Sequence, residues 1–397
     1  MAHISNQQRR WRLAHRHRLT VPTRTDDVVL ITNDLVALHS SDPATVYLSV
    51  AARMINPALE SLDQALYEER SLVRHHAMRR TLWVMAPDIA RLAHGAATAK
   101  VARAERKRTE AALAATTEID DPAGWLDDAL TKIITLVDAK GGLSTRDIGK
   151  ALPELVVPVT FGVKTKNPAA LNAHTKVLQG AGFDGDLVRG RPTGNWISAE
   201  YRWHPTQSWL GQPISGLEER AAAGELFQRW LLRFGPATTT DIRWWFGWTA
   251  GLAAKVLADI DATEVGLDDD QTGFVAAGDT EAVADPGPWV RLLPGLDPTA
   301  MGWKEREWYI DAALVPRLFD RFGNAGPTVW ADGQIVGGWI QRSSGEIALE
   351  LAADLSSEHR RLLDEAIEQL QHVIGDVVVR PRFPAPVQKE LFASSSG

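Results

Sequence analysis

The chain has 397 residues, 45% of them hydrophobic and 23% charged, enough to bury more than one core. It has no cysteine, which excludes disulfides, thiolate nucleophiles and cysteine-ligated zinc and suits a reducing compartment. The net charge of −7 argues against polyanion binding by the surface as a whole, so any such role rests on how the charge is distributed.

The opening segment, Met1 to Arg24, carries six arginines and no acid, and has no apolar stretch fit for a signal peptide. No run reaches the ~18 apolar residues of a membrane span, so a cytoplasmic protein is expected. "TDDVVLITNDLVALH" predicts a helix from Thr25, a candidate N-cap, with Val28, Ile31, Leu35 and Leu38 as its apolar stripe. Asp42 followed by Pro43 restarts a helix, and Pro57 opens a third. "SLVRHHAMRRTLWVMA" is rich in β-branched and aromatic residues and predicts two short strands. A long, alanine-rich, basic helix follows from Pro87. Between Arg70 and Arg108 ten Lys or Arg meet only Asp88 and Glu105.

The pattern then returns. Helices are predicted after Pro122, after Ser144 as a candidate N-cap, and from Asn167-Pro168, followed by a ribbon turning at Arg191 to Gly194. "LEERAAAGELFQRWLLRFG", "PATTTDIRWWFGW" and "TAGLAAKVLADI" predict three more helices, and a strand-like stretch lies beyond them. Nine acids and no base fall between Val256 and Pro288, so the molecule is expected to be polarised. From Trp289 strands dominate, with a hairpin turn at Asp332-Gly333, one amphipathic helix capped by Ser356 or Ser357, a final strand "DVVVRPRF" and a loose tail "ASSSG". Helix, helix, helix, ribbon is the order of a winged helix. The chain thus predicts an α+β protein of three tandem winged-helix segments, 1–115, 116–215 and 216–288, followed by a β-rich domain, 289–397.

"LHSSDPATVYLSVAARM", "RHHAMRRTLWVM", "GLDPTAMGWKEREWYI" and "GNAGPTVWADGQIVGGW" resemble a bacterial family of winged-helix DNA-binding proteins that includes the AlkZ-type alkylpurine DNA glycosylases. The resemblance runs from about Val21 to Leu391. It implies tandem winged helices and a β-rich domain bent around a DNA-sized channel, and a double-stranded DNA partner with alkylated purines as substrates. In the glycosylase branch the first helix ends in glutamine, a spacer, and glutamine or aspartate before the Asp-Pro restart. Aligned on Asp42-Pro43, those positions are His39, Ser40 and Ser41.

An N7-alkylated purine is cationic and leaves readily, so excision needs a placed water and stabilisation of an oxocarbenium-like sugar. His39 is the candidate general base and Ser41 the candidate water-holding hydroxyl. Against this, a helix C-terminus favours the protonated ring by about 0.3–1 kcal/mol. Helical spacing also puts His39 on the apolar stripe, where a histidine is commonly a core residue, and Ser40 and Ser41 are ordinary turn residues. Candidate DNA contacts are Arg74, His75, His76, Arg79 and Arg80 in the first ribbon. Lys164, Lys166, Lys176, Arg189, Arg191 and Trp196 are the candidates around the second. "RWWFGW" reads as helix packing rather than a stacking platform, and Asp268 to Asp270 as a solvated turn. No nucleotide-binding or metal-ligating motif occurs, so no cofactor and no metal is expected. The sequence does not fix the oligomeric state, and a monomer is the expectation. A DNA-binding protein without catalysis, such as a lesion binder or regulator, and a scaffold whose channel takes another molecule remain open beside the glycosylase.

Overall fold

The computed structural model describes residues 1–162 and 168–394; Lys164, Lys166, the expected helix start at Asn167 and the last three residues of the tail lie outside the described residues. It is a mixed α+β protein whose chain divides into two compact units, Met1–Ala65 with Gly224–Gly397, and Leu66–Ala223. Of the four segments expected from the sequence, 1–115 and 216–288 each contribute to both units.

In the first unit, the arginine-rich opening forms a helix, Asn6–Arg16, that the sequence pattern did not announce. Ser5 caps it by accepting the Gln8 N–H. Arg12 and Arg16 pair with Asp279 at 2.9 and 2.7 Å, and the Asn6 N–H donates to Asp268. The strand His3–Ile4 adds in parallel to Thr263–Leu267. Two of the nine acids of the later segment, Asp268 and Asp279, thus meet the basic start inside one unit, whereas the basic stretch 70–108 belongs to the other.

Helices Thr239–Phe246 and Ala250–Asp259 precede the hairpin Thr263–Leu267/Thr272–Val275, and Ala237 bridges to Phe274 on its second strand. Thr238 and Asp241 close a capping box on the first of these helices. Trp245 and Trp248 are buried, with Phe246 and Trp248 stacked at 4.1 Å and Trp230 on Phe234 at 5.3 Å, so "RWWFGW" packs a core.

A four-stranded antiparallel sheet follows, in the order Val290–Leu293, Thr328–Ala331, Gln334–Gln341, Ile347–Leu351. Asp332 and Gly333 take positive φ at its tight turn, as their residue types predict. Helix Ser357–Ile374, capped by Ser356, packs on the first strand. "DVVVRPRF" is not a strand. The Gln341 side chain takes up its backbone groups instead, donating to the Val377 carbonyl and accepting from the Val379 N–H.

In the second unit, the helix Ala99–Thr116 is the basic helix expected, preceded by a widened π-turn at His94–Thr98. Helices Pro122–Ala139, Thr145–Ala151 and Ala173–Asp184 enclose a core containing Leu126, Ile133, Ile148 and Leu178. Ser144 caps the second of them, as expected. The third starts at Ala173 and not at Asn167-Pro168, because Pro158–Phe161 and Ala169–Asn172 form an extra hairpin first. The strands run Leu143–Ser144, Tyr201–Pro205, Leu187–Pro192 across their sheet. The short strand between the first and second of these helices thus lies beside the last strand, which is also the arrangement of Ala237 and the hairpin in the first unit.

Candidate active-site turn and arginine–aromatic stack

The turn holding His39 belongs to the first unit. The helix before it is Val28–Asp34, capped by Asp27, which accepts from the Val29 and Leu30 N–H groups, and not by Thr25. It stops early because Val36 takes φ 61, a left-handed conformation that costs a β-branched residue about 1–3 kcal/mol. Asp34, at the helix end, is buried and paired with Arg233 at 2.8 Å and with Arg18. Leu38–His39 is then a two-residue strand. The expectation that His39 ends a helix is therefore corrected, and the dipole argument for a protonated ring goes with it.

His39 is only 4% exposed, and the Ser41 N–H reaches its Nδ1 at 3.5 Å, the long limit of a hydrogen bond. That contact makes Nδ1 the acceptor and leaves the ring proton on Nε2. Ser41 is half-buried and its hydroxyl makes no hydrogen bond among the described residues. Asp42 caps helix Pro43–Ala51 by accepting the Ala44 N–H, while its other oxygen accepts the Arg382 N–H at 2.9 Å. Burial pushes its carboxyl up, against the two N–H groups that hold it.

Helix Pro43–Ala51 is bolted to "PGLDPT". Thr45 donates to the Gly295 carbonyl and Ser49 to Asp297, both at 2.6 Å. Arg53, fully buried, places two N–H groups on Asp297 at 2.8 and 2.9 Å and one on Thr299. Burial pushes the Asp297 carboxyl up, but Arg53, Ser49 and the Thr299 N–H outweigh it and hold it below its ordinary value. Two of the resembling blocks thus meet in space, a coupling no local pattern in either one announced.

The second unit holds the candidate basic ribbon, and it is less exposed than expected. Arg74, His75 and His76, on strand Val73–His76, are all buried. Burial pushes His75 down to about 3 and His76 well below its ordinary value, so both are neutral. Arg74 and Arg189 instead join a stack. Arg191 lies 4.6 Å from the Tyr67 ring, Arg74 donates to the Tyr67 hydroxyl and lies 4.4 Å from the Tyr201 ring, and Arg189 lies 4.8 Å from Trp203. One carboxylate, Glu68, pairs with Arg191 at the outer end. Arg189 meets no carboxylate among the described residues, and burial pushes it down to about 10.

At the hairpin tip Arg79 and Arg80 both have positive φ, 55 and 63. Glycine would hold that turn without strain, at a saving of roughly 1–2 kcal/mol per residue. Arg80 is half-exposed and pairs with Glu105, which Arg108 also approaches at 3.9 Å. Lys176 lies 4.7 Å from the Phe161 ring, and burial pushes it down. Trp196 is half-buried in the turn between the strands of the second ribbon. Among the described residues no group of three or more His, Asp or Glu is placed to hold a metal, and no helix is long and apolar enough to cross a membrane.

A family model described as DNA glycosylase AlkZ-like matches residues 32–373. The chain belongs to the AlkZ-like DNA glycosylase family. Among solved structures, the fold is similar to that of Streptomyces sahachiroi DNA glycosylase AlkZ, with a TM-score of 0.69 over 96% of this chain and 98% of that one at 21% identity. No curated protein matches the chain.

Proposed function

We propose that the protein is a DNA-repair glycosylase that binds duplex DNA through winged-helix modules and hydrolyses the N-glycosidic bond of alkylated or bulky-adduct purines. The observation that carries this reading is the family match over residues 32–373. By the resemblance, the turn His39–Asp42 falls where the glycosylase branch keeps its catalytic pair, and helix Pro43–Ala51 ties that turn to the buried Arg53–Asp297 pair.

Water attacks the anomeric carbon, the glycosidic bond breaks, and its electron pair returns to the purine, whose positive charge it cancels. Ser41 holds the water. His39 stands off the helix end, so the dipole argument against it no longer applies, although its burial is also that of a core residue. In the tautomer favoured here Nε2 donates, so His39 orients an oxygen atom, and the proton that the attacking water loses passes to solvent water unless the ring flips or changes tautomer to accept it. Arg79, Arg80, Lys176 and Arg191 meet phosphates, with Arg189 behind them and Arg74, His75 and His76 as its packed support. Each phosphate contact adds roughly 0.9 to the salt slope.

A second reading, DNA binding without excision, is favoured by Asp42: both of its oxygens are engaged by backbone N–H groups, so it is not free to stabilise an oxocarbenium ion. Base release from a duplex carrying N7-methylguanine separates the two. Release expected from the wild type should fall about 10²-fold or more in His39→Ala and Ser41→Ala, in the range of positioned acid–base groups. Release unchanged by both substitutions overturns the site, and tight, salt-sensitive binding with no release establishes the second reading.

A further inference from the structure

Residues 375–385 join helix Ser357–Ile374 to a terminal helix, Pro386–Ala393, and form neither helix nor strand. Three anchors hold this strap in the first unit. Gln341 takes up its backbone at Val377 and Val379. Gln388, fully buried, donates to the Pro327 carbonyl and accepts the Ala385 N–H. Gly326 and Gly338 leave room for it, since a Cβ at either would stand 2.2 or 2.9 Å from its side chain. The third anchor is the candidate active-site turn itself, where the Arg382 N–H reaches Asp42 at 2.9 Å. Pro381 and Pro384 fix φ on either side, so Arg382 is presented on a stiff backbone.

The side chain of Arg382 is exposed, and its guanidinium makes no hydrogen bond or ion pair among the described residues. From Val315 onward it is the exception. Arg317, Arg342, Arg360 and Arg361 pair with carboxylates, Arg380 donates to Ser343, and Arg321 lies on the Phe322 ring. The free charge is nevertheless felt at the turn. Burial raises the Asp42 carboxyl, and the Arg382 N–H and the Arg382 charge both oppose it. A nucleotide whose sugar lies at His39 and Ser41 brings two phosphates with it. Each has two unesterified oxygens that match the guanidinium fork. Paired in this way, the arginine does not oppose a cationic sugar.

We propose that Arg382 grips a phosphate flanking the target nucleotide and so seats its sugar at the turn His39–Asp42. The bond from its own N–H to Asp42 fixes the distance between grip and turn, and the buried glutamines keep the strap from yielding. The contact offsets part of the unstacking cost of an extruded nucleotide. This inference rests on the reading that duplex DNA meets the protein at this turn, and it does not require that the base be excised.

Binding across a range of salt concentrations tests it, with one N7-methylguanine in the duplex. In two parallel duplexes a neutral methylphosphonate replaces the phosphate on the 5′ or the 3′ side of the lesion. Arg382→Ala keeps the N–H on Asp42, so it should melt with the wild type, bind several-fold more weakly and lose roughly one unit of salt slope. Arg382→Lys should regain the slope. One of the two methylphosphonates should weaken the wild type and leave Arg382→Ala unaffected. Lys389→Ala, exposed but not bonded to the turn, should respond to it as the wild type does. Such coupling without base release supports the contact and counts against excision. An unchanged slope in Arg382→Ala, or losses from Arg382→Ala and from both methylphosphonates that simply add, overturns the contact and leaves the glycosylase reading as it was.

Discussion

The two units hold several of their arginines in different ways. In the first, five buried or half-buried guanidinium groups are answered by acids, Arg12 and Arg16 by Asp279, Arg18 and Arg233 by Asp34, Arg53 by Asp297, while Arg9 and Arg306 lie on Trp308 and Phe319 instead. In the second, Arg74, Arg189 and Arg191 lie against Tyr67, Tyr201 and Trp203, and Glu68 pairs with Arg191 at the outer end. An arginine matched to a carboxylate is a cross-link, and its charge is spent inside the fold. An arginine held flat on an aromatic ring keeps its charge and its in-plane donors for something else.

The contrast is tested most severely at Asp297. Asp297→Ala leaves Arg53 buried and unmatched and should cost about 3–5 kcal/mol in urea unfolding. Arg189→Leu, by contrast, should leave stability unchanged or slightly higher and weaken duplex binding. Equal losses of stability in the two variants would erase the distinction.

A smaller effect follows from the buried histidines. Burial pushes His17, in the first unit, and His75, in the second, to about 3, and His94 and His204 to about 4. The unfolded chain protonates near 6.5, so the stability these groups contribute is complete above that pH and is lost as pH falls towards their folded values. Between pH 6.5 and 5, His17 and His75 should each cost about 2 kcal/mol. Three of the four belong to the second unit, so it should unfold first on acidification. A urea midpoint that does not move over this range, or a first unit that gives way earlier, contradicts the assignment.

The smallest effect concerns Arg80. Arg80→Gly relieves the left-handed strain and loses a half-exposed ion pair worth about 0–1 kcal/mol, so stability should stay within ~1 kcal/mol of the wild type. The salt slope of duplex binding should nevertheless drop by roughly one unit. A slope that stays the same would mean that the strained turn serves packing alone.

What the sequence revealed was local. Asp42-Pro43, Ser144 and Ser356 cap helices as their side chains dictate, and Asp332-Gly333 turns as its backbone preferences require. What it hid was long-range. Helix Asn6–Arg16 lacks an obvious apolar stripe because its buried face is partly arginine, made tolerable by an acid more than 260 residues away. The position of His39 could be read by counting back from Asp42. Its conformation could not, because nothing in "NDLVALH" shows that Val36 turns left-handed. The arginine–aromatic stack draws on three separate stretches, around Tyr67, Arg189 and Tyr201, none of which is unusual alone.

The division of the chain also has a consequence during synthesis. Residues 66–223 are contiguous and form a compact unit of their own, whereas the first unit is assembled from pieces on either side of them. A ribosome adding about 5–20 residues per second makes Asp297 some 12–50 seconds after Arg53. For that interval Arg53 lacks the carboxylate that matches its charge. The interrupted unit therefore begins first and finishes last, and its early piece, Met1–Ala65, is the stretch of nascent chain most exposed to chaperones and proteases.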